Sequence, residues 1–163
     1  MLQKFKKMFQ IRKATAADSQ LIFDLITKLA VFEKMEKEVV TSVEELRQNI
    51  FVNNYAEVII AEEEDKPVGF ALYFYNFSTF VGKPGLYLED LFVEPDCRGK
   101  GYGKKLLVEL SKIAKSKNCG RMEWSVLNWN TPAIDFYKSL GAKPMDEWSV
   151  FRLNEEAISN LAK

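Results

Sequence analysis

Between Val93 and Lys104 the chain runs Val-Glu-Pro-Asp-Cys-Arg-Gly-Lys-Gly-Tyr-Gly-Lys, a basic, glycine-rich segment that leaves an apolar run and opens an amphipathic one. Glycine at 99, 101 and 103 lets backbone N–H groups turn toward a ligand. A helix beginning there adds partial positive charge, so the segment suits a pyrophosphate. Arg98 contributes a fork of donors for phosphate oxygens. This is not a Walker A loop, which needs glycine where Arg98 stands. Nor is it the G-x-G-x-x-G dinucleotide fingerprint, because the glycines here run G-x-G-x-G. The chain contains no histidine. Ser-His-Asp and Cys-His nucleophile schemes are therefore excluded, and proton transfer falls to Glu, Asp, Tyr, Lys or water.

Charge is divided along the chain although 23 basic and 23 acidic residues cancel overall. Glu33 to Asp65 holds ten acidic residues against Lys34, Lys37 and Arg47, and Arg98 to Arg121 holds eight basic residues against Glu109. Such a division suggests a cleft with a cationic ligand on one side and an anionic one on the other. The two cysteines, Cys97 and Cys119, have no metal-ligand spacing, so neither a disulfide scaffold nor a metal site is expected, and a reducing cytoplasm fits. Apolar runs are far shorter than the ~20 residues of a membrane span, and 1–9 lacks the apolar core of a secretory leader. Aromatic residues do not interleave with the lysines of 104–117, so nucleic acid is not an expected partner.

These groups need elements to position them. At 163 residues, 47% of them hydrophobic, without repeat or linker, the chain reads as one domain spanning residues 1–163. Phe9 to Ala14 is a first strand. Thr15 and Asp18 form a capping box for a helix whose stripe is Leu21, Ile22, Leu25, Ile26 and Leu29, and Ser42 with Glu45 repeats the pattern for a second. Glu57–Ala61 and Val68–Phe77 form an antiparallel hairpin, and Leu86–Val93 is a third strong strand, buried on both faces. Gly101–Lys117 is the clearest helix, and Arg121–Leu127 completes a βαβ unit with it. Thr131–Leu140 is a short helix between Pro132 and Gly141, and Trp148–Leu153 is a last strand. The expected fold class is α/β (α+β), a mixed central sheet of about six to seven strands flanked by helices.

Arg98-Gly-Lys-Gly-Tyr-Gly resembles the Q/R-x-x-G-x-G/A coenzyme-A loop of the GNAT N-acetyltransferase superfamily. Leu86-Tyr-Leu-Glu-Asp-Leu-Phe-Val93, Trp129-Asn-Thr-Pro-Ala-Ile-Asp-Phe-Tyr-Lys138, Gly141-Ala142 and Thr15-Ala-Ala-Asp18 resemble the diamine (spermidine/spermine and thialysine) N-acetyltransferases. The likeness runs from about Ile11 to Leu153. It implies an enzyme that moves an acetyl group from acetyl-CoA, without a metal, to a primary amine of a small cationic molecule, and a homodimer.

Residue by residue, the resemblance implies that Leu91, Phe92 and Val93 present strand-edge backbone to the pantetheine arm. Arg98, Gly99, Lys100, Gly101, Tyr102, Gly103 and Lys104 hold the pyrophosphate, while Asn130, Thr131, Pro132 and Ala133 line the far side of the arm. Tyr137 is implied as coenzyme-binding and as the general acid for the leaving thiolate. A phenol of pKa about 10 facing a thiol of about 8.5 makes that transfer uphill by only about 2 kcal/mol. The amine must attack neutral, and at a pKa of about 10.4 it is overwhelmingly protonated near pH 7. A carboxylate must take that proton, and Glu89 is the first candidate. Phe32, Glu33, Glu89, Glu123, Trp124, Ser125 and Asp146 fall where the family binds its amine, with Glu147 able to exchange roles with Asp146. Lys34 stands where an aromatic residue is usual, and Ser139 and Leu140 replace basic residues, so a short diamine or thialysine is as compatible as a polyamine. A protein or peptide amine, or a non-catalytic coenzyme-A-binding module, is the alternative.

Overall fold

The computed structural model describes residues 8–163, so most of the opening segment in which no leader is read, 1–7, lies outside the described residues. The chain divides into two compact units, Met1–Ser125 and Val126–Lys163.

The first unit is built on one five-stranded sheet in the order β1 (Phe9–Lys13), β2 (Glu57–Glu63), β3 (Lys66–Ser78), β4 (Lys83–Val93), β5 (Arg121–Trp124). The first four strands are antiparallel neighbours and β5 lies parallel to β4. A parallel pair needs a crossover, and α3 (Tyr102–Ser116) supplies it, as the βαβ reading required. Between β1 and β2 come α1 (Ser19–Glu33) and the short α2 (Val43–Arg47), which runs on into a π-type turn at Gln48–Val52.

Alternation fixes which residues face which helix. Val58, Ile60, Phe70, Leu72 and Phe92 form one buried cluster with Ile22, Leu25 and Leu29 of α1. The intervening Ile59, Ala61 and Ala71 are buried too, so the opposite face is also covered. There α3 meets β2, β3 and β4 with Leu106, Leu107, Leu110 and Ala114 buried. Arg12 of β1 ties the entry of α1 to the sheet: its guanidinium donates twice to Asp18 at 2.8 Å and once to Glu62 at 2.7 Å. Beside that cation the Asp18 carboxyl is held down to about 2.

The second unit contains α4 (Thr131–Ser139) and α5 (Glu155–Leu161). The Asn130 side chain caps α4, accepting from the Ala133 amide at 3.4 Å, and Gly141 follows its end at φ 90°. Two expectations are corrected. The sheet has five strands among the described residues rather than six to seven, because Trp148–Leu153 is not a strand and the strand from Arg121 stops at Trp124 instead of Leu127. Alternating side chains give a segment strand propensity, but a strand exists only where a neighbour completes its ladder, and 145–153 has none. Helix α5 was not anticipated. Its signals are Asn154, whose side chain accepts from the Ala157 amide at 2.9 Å, and acidic Glu155 and Glu156 in the first turn.

Candidate active site

Strand β4 carries the site's geometry. Its ladder with β5 pairs Gly85 to Leu88 with Arg121 to Trp124 and then ends. From Glu89 to Val93, β4 continues beside β3 alone, with Leu91, Phe92 and Val93 opposite Ala71, Phe70 and Gly69. Among the described residues the edge turned away from β3 is thus without a strand partner where the pantetheine-facing residues were expected, and an unpaired edge can take hydrogen bonds from a ligand.

The same stretch contains a bulge. Leu88 lies opposite Tyr73 and Asp90 opposite Leu72, so Glu89 is the extra residue. Adjacent residues of β3 face opposite sides of the sheet, so Leu88 and Asp90 do as well, although without the bulge they would share a face. Asp90 is thereby turned to the side of Leu72, Phe92 and α1. Glu89 itself is exposed, which corrects the expectation that this strand buries it on both faces. Burial first, and then the charges of Glu89 and Glu33, push the Asp90 carboxyl up to about 7. Glu33, the last residue of α1, is half-buried, and its carboxyl is raised by desolvation. Among the described residues none of Glu33, Glu89 and Asp90 has a cationic partner. Three acidic groups held together without a counter-charge favour a cationic guest.

Beyond Val93, a single 3-10 turn at Pro95–Cys97 leads into the glycine-rich loop. Gly99 and Gly101 adopt φ of 82° and 79°, the left-handed region, and nothing lies within 4 Å of where a Cβ would stand. The backbone there faces open space, as a cradle for a phosphate must, and α3 begins at the next residue. Arg98 donates from Nε to the Val93 carbonyl at 3.1 Å, and its guanidinium lies 4.5 Å from the Phe32 ring centre and 5.8 Å from that of Phe92. Phe32, expected at the amine, therefore lies under the arginine expected at the phosphate. Two charged loop positions differ in surroundings. Lys104 is exposed, whereas the Lys100 ammonium donates to Glu63 of β2 at 2.9 Å. The Tyr102 hydroxyl also donates to Glu63, and its ring stacks on Phe9 with centres 4.3 Å apart.

The remaining amine-side candidates are placed less alike. Glu123 is ion-paired with Arg121 at 2.6 Å, so its charge is already balanced, and Ser125 shares a hydrogen bond with the Tyr87 hydroxyl at 3.0 Å. Trp124 ends β5. In the second unit, Thr131, Pro132 and Ala133 form the first turn of α4, and Tyr137 lies half-buried near its end with its ring 5.6 Å from that of Phe136. Asp146 and Glu147 are exposed. Sequence reasoning missed Asp90 and Glu63. For Asp90 the signal was two adjacent carboxylates in an apolar strand; which one turns inward depends on the bulge, and no residue pattern announces it.

Residues 23–142 match the model of the acetyltransferase (GNAT) family. The chain is 37% identical over 164 residues to a Sus scrofa protein named thialysine N-epsilon-acetyltransferase, a match covering 93% of this chain and 96% of that one. The Mus musculus protein of the same name is 38% identical over 165 residues, covering 94% and 96%. Among solved structures, an integron cassette protein from the mobile metagenome of V. cholerae superposes with a TM-score of 0.80 at 29% identity, over 96% of this chain and 99% of that one.

Proposed function

The chain belongs to the GNAT acetyltransferase family and is an acetyl-CoA-dependent N-acetyltransferase, and from that premise we propose that it acetylates a primary amine of a compact molecule bearing a second positive charge. A short diamine or thialysine is the favoured acceptor. The observation that carries this reading is the unpartnered set Glu33, Glu89 and Asp90 beside the free edge of β4.

In this reading the edge of Leu91 to Val93 takes the pantetheine arm, and the amides of Gly99 to Gly103, the Arg98 guanidinium and Lys104 take the pyrophosphate. Asn130 to Ala133 and Tyr137 are assigned to the coenzyme by the resemblance of their segment to the family's. The family match runs from 23 to 142 across the boundary between the two units, which supports one working domain. Asp90, with a carboxyl near 7, accepts the proton of the incoming ammonium directly or through water, and Glu89 and Glu33 keep that carboxyl high. The neutral nitrogen attacks the thioester carbonyl carbon, the carbon–sulfur bond breaks, the thiolate takes the Tyr137 hydroxyl proton, and the second proton shed by the new amide nitrogen restores the phenol. Tyr137 is assigned this role by its position in the Asn130-to-Lys138 segment and by the lack of any histidine.

Glu33 and Glu89 stabilise the acceptor's distal cation, and Lys34, directly after Glu33 at a φ of 60°, opposes the longest polyamines. Homodimer formation is supported by the apolar side chains left exposed in the second unit, Trp148 at 72% and Phe151 at 94%. A reducing compartment is supported by the free thiols Cys97 and Cys119. Among the described residues no helix is long and apolar enough to cross a membrane. Steady-state acetylation of short diamines, thialysine, spermine and a basic peptide tests the reading. The short dications should give the highest kcat/KM, and a preference for the peptide would overturn it.

A further inference from the structure

We propose that Glu63 of β2 is a positioning residue for the coenzyme loop, and that Lys100 and Tyr102 serve the coenzyme through it rather than by touching phosphate. The inference rests on the coenzyme assignment above and goes beyond it, because it moves two side chains of the loop from ligand contact to support.

Glu63 accepts from Lys100 Nζ at 2.9 Å and 3.3 Å through its two oxygens, and from the Tyr102 hydroxyl. Its backbone is fixed from both sides, opposite Phe9 in β1 and opposite Lys66 in β3. Tyr102 is 7% exposed and stacked on Phe9, and Lys105 Nζ lies 4.3 Å from the Phe9 ring centre, so the start of α3 is packed onto the β1–β2 edge around this carboxylate. The loop's other anchors are at its two ends, where Arg98 donates to the Val93 carbonyl and the Gly101 carbonyl accepts from the Lys105 amide at 3.0 Å. Nothing lies within 4 Å of where a Cβ of Gly99 or Gly101 would stand, so no side chain packs against their left-handed backbone, and a chain containing glycine is the least restrained of any. Side chains at 100 and 102 are directed to β2, which leaves the amides between them for the ligand.

A carboxylate near a pyrophosphate site has an electrostatic cost, because it repels the ligand. That cost gives the test its sign. If Glu63 acted only as a charge, or only kept Lys100 from the phosphate, Glu63→Gln would tighten coenzyme binding. If Glu63 positions the loop, the same substitution weakens it, because a neutral amide holds the ammonium less firmly than a carboxylate and more of the ordering of the loop must then come from the ligand.

The experiment is calorimetric titration of acetyl-CoA into wild type, Glu63→Gln, Lys100→Met, the double variant and Tyr102→Phe, with steady-state kinetics of each. Expected is a loss of coenzyme affinity of about 3- to 10-fold in each single variant. The double variant should be no weaker than Glu63→Gln alone, the signature of two residues acting as one. KM for acetyl-CoA should rise by the same factor, while KM for the amine and kcat at saturating coenzyme stay put for Glu63→Gln. Tighter or unchanged binding in Glu63→Gln overturns the proposal, as does a further several-fold loss when Lys100→Met is added to it. Wild type that takes up no acetyl-CoA overturns the coenzyme assignment beneath it, a result distinct from either.

Discussion

The two flanks of β4 hold their carboxylates in opposite ways. On the loop side Glu63 is bound by Lys100 and Tyr102, and these donors pull its carboxyl below the ordinary range, the Tyr102 hydrogen bond most of all. On the α1 side, among the described residues, Asp90 has Glu89 and Glu33 rather than a cation beside it, and burial with their repulsion lifts it to about 7. One acid is spent on the protein's own cations and serves geometry. The other is kept without a cation at a cost in stability, which makes it available to a ligand. The chain uses the same chemical group for support and for recognition, and what separates the two uses is whether the fold supplies the counter-charge.

The contrast can be broken most severely by removing a group that belongs to neither flank. Tyr137→Phe should lower kcat by about 10² to 10⁴ while leaving acetyl-CoA affinity within about 2-fold, read by steady-state kinetics beside calorimetry. Turnover at the wild-type rate, with chemistry limiting, would return Tyr137 to a packing role. Next comes the α1 flank. Asp90→Asn should lower kcat/KM for a diamine by about 10² to 10³ at pH 7, with partial recovery as pH rises and more amine is neutral in solution. In wild type the acid limb of kcat/KM should fall near pH 7 and disappear in Asp90→Asn. Glu89→Gln should shift that limb to lower pH and cost less, since it removes one of the charges that hold Asp90 up.

How far these assignments could be read from residue types alone differs between the flanks. The loop was legible because Arg98 and the glycines at 99, 101 and 103 make a local pattern, and a strand-to-helix turn needs no distant partner. Helices α1 and α3 were legible from their apolar spacing, and the β4–α3–β5 crossover followed. The inward acid was not legible: Leu-Glu-Asp-Leu allows either carboxylate to face α1, and only the slip of register against Leu72 and Tyr73 selects Asp90. Glu63 was hidden for a similar reason, lying 37 residues from Lys100 in a run of four acids of which one meets the loop. Trp148 to Leu153 marks the converse case, in which a local strand pattern has no ladder to join.

Two smaller effects sharpen the comparison. On the loop side, Arg98→Ala with Gly101→Ala should weaken acetyl-CoA by about 10- to 100-fold. The first change removes a phosphate fork, and the second places a Cβ on backbone at φ 79°. Unchanged affinity would remove the loop from the coenzyme site. On the α1 side, the raised Asp90 carboxyl has a signature without any substrate. A folded-state value near 7 against about 3.9 in the unfolded chain means that the folded protein binds the extra proton between those values. Stability should therefore fall as pH rises from about 4 to 7, by a few degrees in Tm, and Asp90→Asn should flatten that slope. A slope equal in both proteins would show that Asp90 titrates at its ordinary value.

The central claim, that an acidic face without counter-charge chooses the acceptor, is tested most directly by kcat/KM for a dicationic diamine and for a neutral-tailed monoamine of equal length, each at low and high salt. The account predicts at least about a 10²-fold preference for the diamine at low salt, shrinking as added ions screen the Glu33, Glu89 and Asp90 charges. Equal kcat/KM for the two amines, unmoved by salt, would contradict it.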